Sequence, residues 1–178
     1  MTATTLPLPA AARANPFALS PMLRAAVGLV GVGFTTACML AAVRYAAGFA
    51  PAHPSTKSLA VLIHLSAVLP AVPLGAWLML ARKGTPRHKQ LGKAWVALML
   101  ITALSALFIR QFNGGQFSFI HLFVPLTFYS AWKTVATARR GDIAAHRKEL
   151  IGFYLGALTI PGLFAFMPER LMGTWLFG

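Results

Sequence analysis

The sequence predicts an all-α polytopic membrane protein, with five transmembrane helices of which the last four form a pseudo-two-fold repeated four-helix bundle. Three observations predict it. The 178 residues are 57% apolar and only 11% charged, where a soluble domain carries about 25% charged residues. The apolar residues fall in blocks free of Lys, Arg, Asp and Glu, such as Ala25 to Val43, Ser58 to Ala81 and Gln111 to Trp132, as a chain dissolved in a bilayer requires. Finally, cation-rich turns recur between the blocks. The net charge of +13 therefore reads as orientation signals and contacts with anionic membrane lipid, and no nucleic-acid role is assigned.

Met1 to Ser20, rich in Pro, Ala and Thr without apolar periodicity, is expected to be a flexible cytoplasmic tail preceding a single transmembrane domain over 21–178. Arg13 and Arg24 before an apolar run resemble a signal peptide. The run Ala25 to Val43 is longer than an h-region of roughly 7 to 15 residues, so an uncleaved first helix is expected.

Five spans are read at about 22–48, 59–82, 87–110, 117–137 and 147–167, each near the roughly twenty residues that cross the hydrocarbon layer. The linker Arg82 to Lys93 holds Arg82, Lys83, Arg87, Lys89 and Lys93, and Arg139 to Lys148 holds Arg139, Arg140, Arg147 and Lys148. The positive-inside rule puts both in the cytoplasm. The N-terminus is then cytoplasmic, the C-terminus periplasmic, and the linkers Phe49 to Lys57 and Gln111 to Gln116 face outward. Thr85 before Pro86, and Asp142 before His146, signal helix starts that set His88 and His146 in the first turns of spans three and five.

The two basic turns belong to an internal repeat. Ala81-Arg-Lys-Gly84 matches Ala138-Arg-Arg-Gly141, His64 matches His121 and His88 matches His146, at offsets of 57 or 58 residues. The units, about 59–110 and 117–167, start on the same side and form a parallel repeat about an axis along the membrane normal.

Such an axis turns His64 and His121 toward one another, a short way below the outer surface. A buried ionisable group in a bilayer needs a partner, and the only acids, Asp142, Glu149 and Glu169, are assigned to helix ends. A metal between the imidazoles fits, as do hydrogen bonds to water and backbone carbonyls. Two histidines are too few for a zinc site. They suit haem b, whose porphyrin leaves two axial positions. His64 and His121 are thus candidate iron ligands and cofactor-binding residues, with Arg110 a candidate partner for a propionate or a helix-end arginine snorkelling to the surface. His88 and His146 form a second candidate pair for a second haem, with Arg87, Lys89, Arg147 and Lys148 near its propionates; solvation or lipid phosphate explains them equally.

Ala60, Ala67, Ala71 and Gly75 either leave room for a macrocycle or let helices pack closely, and Gly152-x-x-x-Gly156 with Gly28, Gly31 and Gly33 reads as close helix contacts. His53 reads as solvated. The single Cys38 excludes an internal disulfide, a CxxC metal site and c-type haem attachment. No nucleophile arrangement, phosphate loop or paired carboxylate appears, so no catalytic residue is assigned.

The run Arg82-Lys-Gly-Thr-Pro-Arg-His88-Lys-Gln-Leu-Gly-Lys-Ala-Trp95, the stretch Phe119-Ile-His121-Leu, Ala138-Arg-Arg-Gly-Asp142 with His146-Arg-Lys, and the closing Pro168-Glu-Arg170 resemble the domain of unknown function 2306 family of bacterial membrane proteins. The resemblance covers about Leu59 to Arg170. In that family the last motif usually reads Pro-Gly-Arg, and Glu169 stands in place of the glycine. The resemblance implies a multi-helix inner-membrane protein without an assigned activity. Similarity to two-haem membrane b-type cytochromes is one of architecture.

The functional expectation is haem-mediated electron transfer within or across the membrane, with quinone or a redox protein as partner. The alternatives are a non-redox transporter or channel with a histidine-lined path, in which Pro70, Pro73, Pro125 and Pro161 break helices, and a cofactor-free accessory subunit. The sequence sets no oligomeric state.

Overall fold

The computed structural model describes residues 20–178, and among these the regular structure is entirely helical. The expected tail and Arg13 lie outside the described residues, apart from Ser20.

Helix α1 (Pro21–Ala46) starts at Ser20, whose side chain accepts from the Leu23 amide at 3.2 Å. It buries Val27, Gly31, Phe34, Cys38 and Ala41, a single stripe at alternating spacings of four and three. The opposite face exposes Leu29, Val32, Met39 and Val43. A helix apolar on the face turned away from its neighbours belongs in lipid. α2 (Leu59–Leu80) has the same character, and these two helices are long and apolar enough to cross a membrane. Pro70 and Pro73 sit inside α2 without ending it.

α2 packs against α3 (Pro86–Ala106) as a hairpin, and α4 (Phe123–Arg139) packs against α5 (Ile143–Gly152) as another. Both expected caps are in place. Thr85 Oγ1 accepts from the His88 amide at 3.1 Å, and Asp142 Oδ1 accepts from the Ala145 amide at 2.9 Å. The turns before them pass through Gly84 and Gly141, with φ 83° and 72°, a conformation glycine takes without steric cost.

The fourth and fifth spans differ from the expectation. His121 does not lie within a transmembrane α-helix. It sits in a short 3-10 turn, Phe119–Leu122, and α4 begins only at Phe123. Pro125 explains the late start, because proline lacks an amide hydrogen and is tolerated where a helix leaves amides unbonded. α5 widens into a π-helical stretch, Phe153–Thr159, before the brief α6 (Ile160–Phe164). Pro161 withholds the amide that the Ala157 carbonyl would otherwise receive, and the Ile160 amide reaches back five residues to Leu155. A further helix, α7 (Leu171–Phe177), follows beyond the last expected span.

The core lies between α2, α3 and the widened helix. Trp95, Phe153 and Tyr154 are fully buried around Ala71, Val72 and Met79. Trp95 Nε1 donates to the Ala71 carbonyl at 2.9 Å, Tyr154 donates its hydroxyl to the Val72 carbonyl at 3.2 Å, and Trp95 meets Phe153 edge-on with ring centres 4.8 Å apart. Gly75 makes this possible: a Cβ there would lie 2.6 Å from Tyr154 Cδ2 and 2.7 Å from Trp95 Nε1. The space beside Gly75 is thus filled by aromatic rings. Gly31 is also a close contact, with a Cβ only 2.6 Å from Ala76 Cβ. By contrast, a Cβ on Gly28, Gly33, Gly152 or Gly156 would meet nothing within 4 Å, so the expected glycine contacts hold at Gly31 alone.

A second cluster joins α7 to α1 through Ala41, Val61, Leu171, Met172 and Trp175. Tyr45 stacks on Trp175 at 4.2 Å, and the Arg44 guanidinium donates to the carbonyls of Trp175 at 3.1 Å and Gly178 at 2.8 Å.

Candidate functional site

The hairpins bring the candidate histidines together in pairs at opposite ends of the bundle. His88 and His146 lie at the end of the two basic turns, the basic end. His64 and His121 lie toward the other end, where the linkers 107–122 and 49–58 run, the linker end.

At the linker end a cavity of about 230 Å³ opens among the helices, and both His64 and His121 line it. Its walls include Phe34 and Cys38 from α1, Val68 and Leu69 from α2, Met99 from α3, Val124 from α4 and Leu158 from the π-helical stretch. Arg110, Asn113, Gln116 and Arg170 line it as well. His64 Nδ1 donates to the Thr102 carbonyl at 3.0 Å and lies 3.2 Å from Ser105 Oγ. Its Nε2 makes no hydrogen bond within the described residues. His121 is buried, and its Nδ1 accepts from the Ser118 amide at 3.0 Å and lies 3.1 Å from the Ser118 carbonyl oxygen. His121 Nε2 is buried without a partner. With Nδ1 accepting, the neutral ring carries its proton on Nε2, toward this site. Holding one ring nitrogen on a backbone carbonyl so that the other is presented, as His64 is held, is the arrangement that orients metal-ligating histidines; His121 takes it up only in the other tautomer, with Nδ1–H turned to the Ser118 carbonyl.

Arg110 is half-buried. Its Nε donates to the Leu107 carbonyl at 2.9 Å, and its guanidinium lies 4.2 Å from the centre of the Phe117 ring. It lines the same cavity as His64 and His121.

At the basic end the His88 and His146 rings stand perpendicular with centres 6.2 Å apart. Imidazoles bound on opposite sides of one metal at about 2 Å per nitrogen bring their ring centres to a similar separation, roughly 6 Å. His146 Nδ1 donates to the Thr134 carbonyl at 3.0 Å, as His64 does to Thr102. His88 departs from the pattern, since its Nδ1 is buried without a partner. Lys83 stands nearby, its ammonium donating to the carbonyls of Leu78, Met79 and Ala81 at the end of α2. Burial, with Arg147 and Arg24 adding repulsion, lowers its pKa to about 8.

Of the acids, Asp142 caps α5 and Glu149 pairs with Lys133 at 3.2 Å. Glu149 is therefore two turns into its helix rather than at the helix end. Glu169 adopts φ 64°, the one positive φ among the described non-glycine residues. This is the position where the family motif usually carries glycine. The Glu169 carbonyl lies 3.2 Å from His53 Nε2, so His53 is held in place rather than simply solvated. Among the described residues no group of three or more His, Cys, Asp or Glu is placed to hold a metal ion. A metal at either pair therefore needs ligands from outside the chain.

The sequence reading missed Thr102, Ser105 and Thr134, and named Arg170 only as part of the family motif. The first three act through backbone position or local geometry that no motif announces. Ser118 had a signal, because a serine three residues before His121 is a capping pattern.

All-helical architecture, two apolar helices of membrane-spanning length and a lipid-compatible outer face define a helical membrane protein. Residues 61–175 match the family described as "Predicted membrane protein (DUF2306)", and the chain belongs to that family. No curated protein and no solved structure matches the chain.

Proposed function

We propose that this chain is a b-type haem protein of the bacterial inner membrane that passes electrons within or across the bilayer. It has five spans, and the α2–α3 and α4–α5 hairpins form a pseudo-two-fold bundle with the basic turns in the cytoplasm. The observation that carries the reading is the pairing of His64 with His121 on one cavity. Each has Nδ1 held by backbone, and each Nε2 is without a hydrogen bond. Two neutral nitrogens suit an iron already held by four porphyrin nitrogens, and Arg110 is within the same cavity to balance a propionate.

His88 and His146 are assigned the second haem, on their ring separation of 6.2 Å and the orienting bond from His146 to Thr134. Haem b supplies one-electron chemistry when bound. The protein residues fix ring orientation through the Thr102 and Thr134 carbonyls and the Ser118 amide and keep water from the apolar walls. Quinone or a redox protein is assigned as the electron partner.

The test is the absorption spectrum of the protein purified from haem-replete cells. A Soret band that shifts on dithionite reduction and falls by roughly half in His64→Ala or His121→Ala is expected. A colourless, fully folded preparation overturns the reading, and metal analysis of the same sample then separates a non-haem ion from an empty protein.

A further inference from the structure

His64 and His121 reach one cavity in opposite hydrogen-bonding states. His64 gives its Nδ1 proton to the Thr102 carbonyl at 3.0 Å, so its Nε2 carries a lone pair. His121 Nδ1 accepts from the Ser118 amide at 3.0 Å, so its Nε2 carries a proton, and that atom is buried without a partner. The first ring is set to bind a metal and the second to donate to an acceptor. Their supports differ as well. His64 sits within α2 and is tied across to α3, whereas His121 sits in the short turn Phe119–Leu122, tied to Ser118 at the head of that turn and edge-on to Phe117 with ring centres 4.9 Å apart. For His121 to ligate, its proton has to move to Nδ1 and the part-buried Ser118 amide has to give up its acceptor, a loss that costs stability. His88 has no such bond to lose, because its Nδ1 is unpartnered. The cavity, about 230 Å³ and apolar along most of its wall, admits a small neutral molecule more readily than an ion.

We infer that on the linker-end iron His64 is the fixed ligand, and that the His121 side is an exchangeable position for a small neutral diatomic molecule whose outer atom accepts from His121 Nε2. This deepens the haem reading and rests on it. The exchange breaks one iron–nitrogen bond and forms one bond from the guest's own electron pair to the iron. The His121 proton passes from Nδ1 to Nε2, Nδ1 regains the Ser118 amide, and no electron is transferred.

The experiment adds carbon monoxide to the full-length protein, purified with its haem, held in nanodiscs and reduced with dithionite. About half of the Soret absorbance is expected to shift, from the linker-end haem alone. The His146→Ala protein, left with that haem, shifts in full, and its C–O stretch moves in heavy water because the His121 proton exchanges. The His64→Ala protein, left with the basic-end haem, does not shift. Ser118→Pro removes the amide that His121 regains on leaving the iron, and affinity for carbon monoxide is expected to fall about tenfold. A haem-loaded protein whose spectrum ignores carbon monoxide, a shift confined to the basic-end haem, a C–O stretch indifferent to heavy water, or an undiminished affinity in a Ser118→Pro protein that keeps both haems overturns the inference and leaves the haem reading standing. A colourless protein overturns the two together. Because the first titration needs no substitution, a misfolded variant does not blunt it.

Discussion

The two histidine pairs recur at offsets of 57 and 58 residues in the sequence and stand in different surroundings. His64 and His121 border an apolar cavity, whereas His88 and His146 touch ring to ring beside a cluster of cations. Within each pair one histidine is oriented by a carbonyl on the neighbouring helix, Thr102 for His64 and Thr134 for His146. The mates diverge: His121 is held by Ser118 within its own turn, and His88 Nδ1 has no partner. Sequence symmetry therefore places the nitrogens, while each end of the bundle decides what surrounds them.

Removing ligands is the largest intervention. His64→Ala or His121→Ala is expected to remove the linker-end haem and leave the basic-end haem, seen as loss of roughly half the Soret absorbance under the two-haem reading. His88→Ala or His146→Ala gives the converse. Complete loss of absorbance from a single substitution at one end would break the separation between the levels.

The next effect is on what joins the ends. Gly75→Ala drives a methyl into Tyr154 and Trp95, and overpacking of this kind costs about 1–3 kcal/mol. A lowered thermal midpoint with both chromophore levels affected is expected. Gly152→Ala, where a Cβ meets nothing within 4 Å, is expected to be neutral or to stabilise by up to about 1 kcal/mol.

A smaller effect separates the ends by pH. The Lys83 pKa is lowered from 10.5 to about 8 by burial, so the folded state binds its proton less tightly than the unfolded chain. The resulting cost is fully present below pH 8, and stability contributed by this group rises between about pH 8 and 10.5 and is flat above. Lys83→Met is expected to flatten that rise in melting curves. A rise that persists unchanged in Lys83→Met removes Lys83 as its source.

The smallest change lies at the linker end. Glu169→Gly relieves a left-handed residue with φ 64° and is expected to stabilise by about 1 kcal/mol, less the entropy glycine adds to the unfolded chain. Denaturant midpoints measure it, and a loss of stability would show that the Glu169 side chain contributes more than its backbone costs.

Local chemistry made much of this legible. The caps at Thr85 and Asp142 are decided by neighbouring residues, and both are found where the sequence puts them. The apolar blocks gave α1 and α2 with bounds close to those expected. The misses come from non-local causes. Pro125 and Pro161 were read as breaks near mid-membrane, whereas Pro125 marks the first turn of α4 and Pro161 follows a widened helix. The Gly152 and Gly156 spacing matched a packing motif, but no neighbouring helix approaches it. The bond from His64 to Thr102 spans 38 residues, a separation at which no spacing rule operates. Arg170 and Arg110 line one cavity although 60 residues separate them in sequence.

Leu171 and Met172 form part of the wall of that cavity, and their helix is fastened on its far side by Arg44 and by the stacking of Tyr45 on Trp175. Part of the cavity wall therefore depends on contacts that α1 makes with the C-terminal helix.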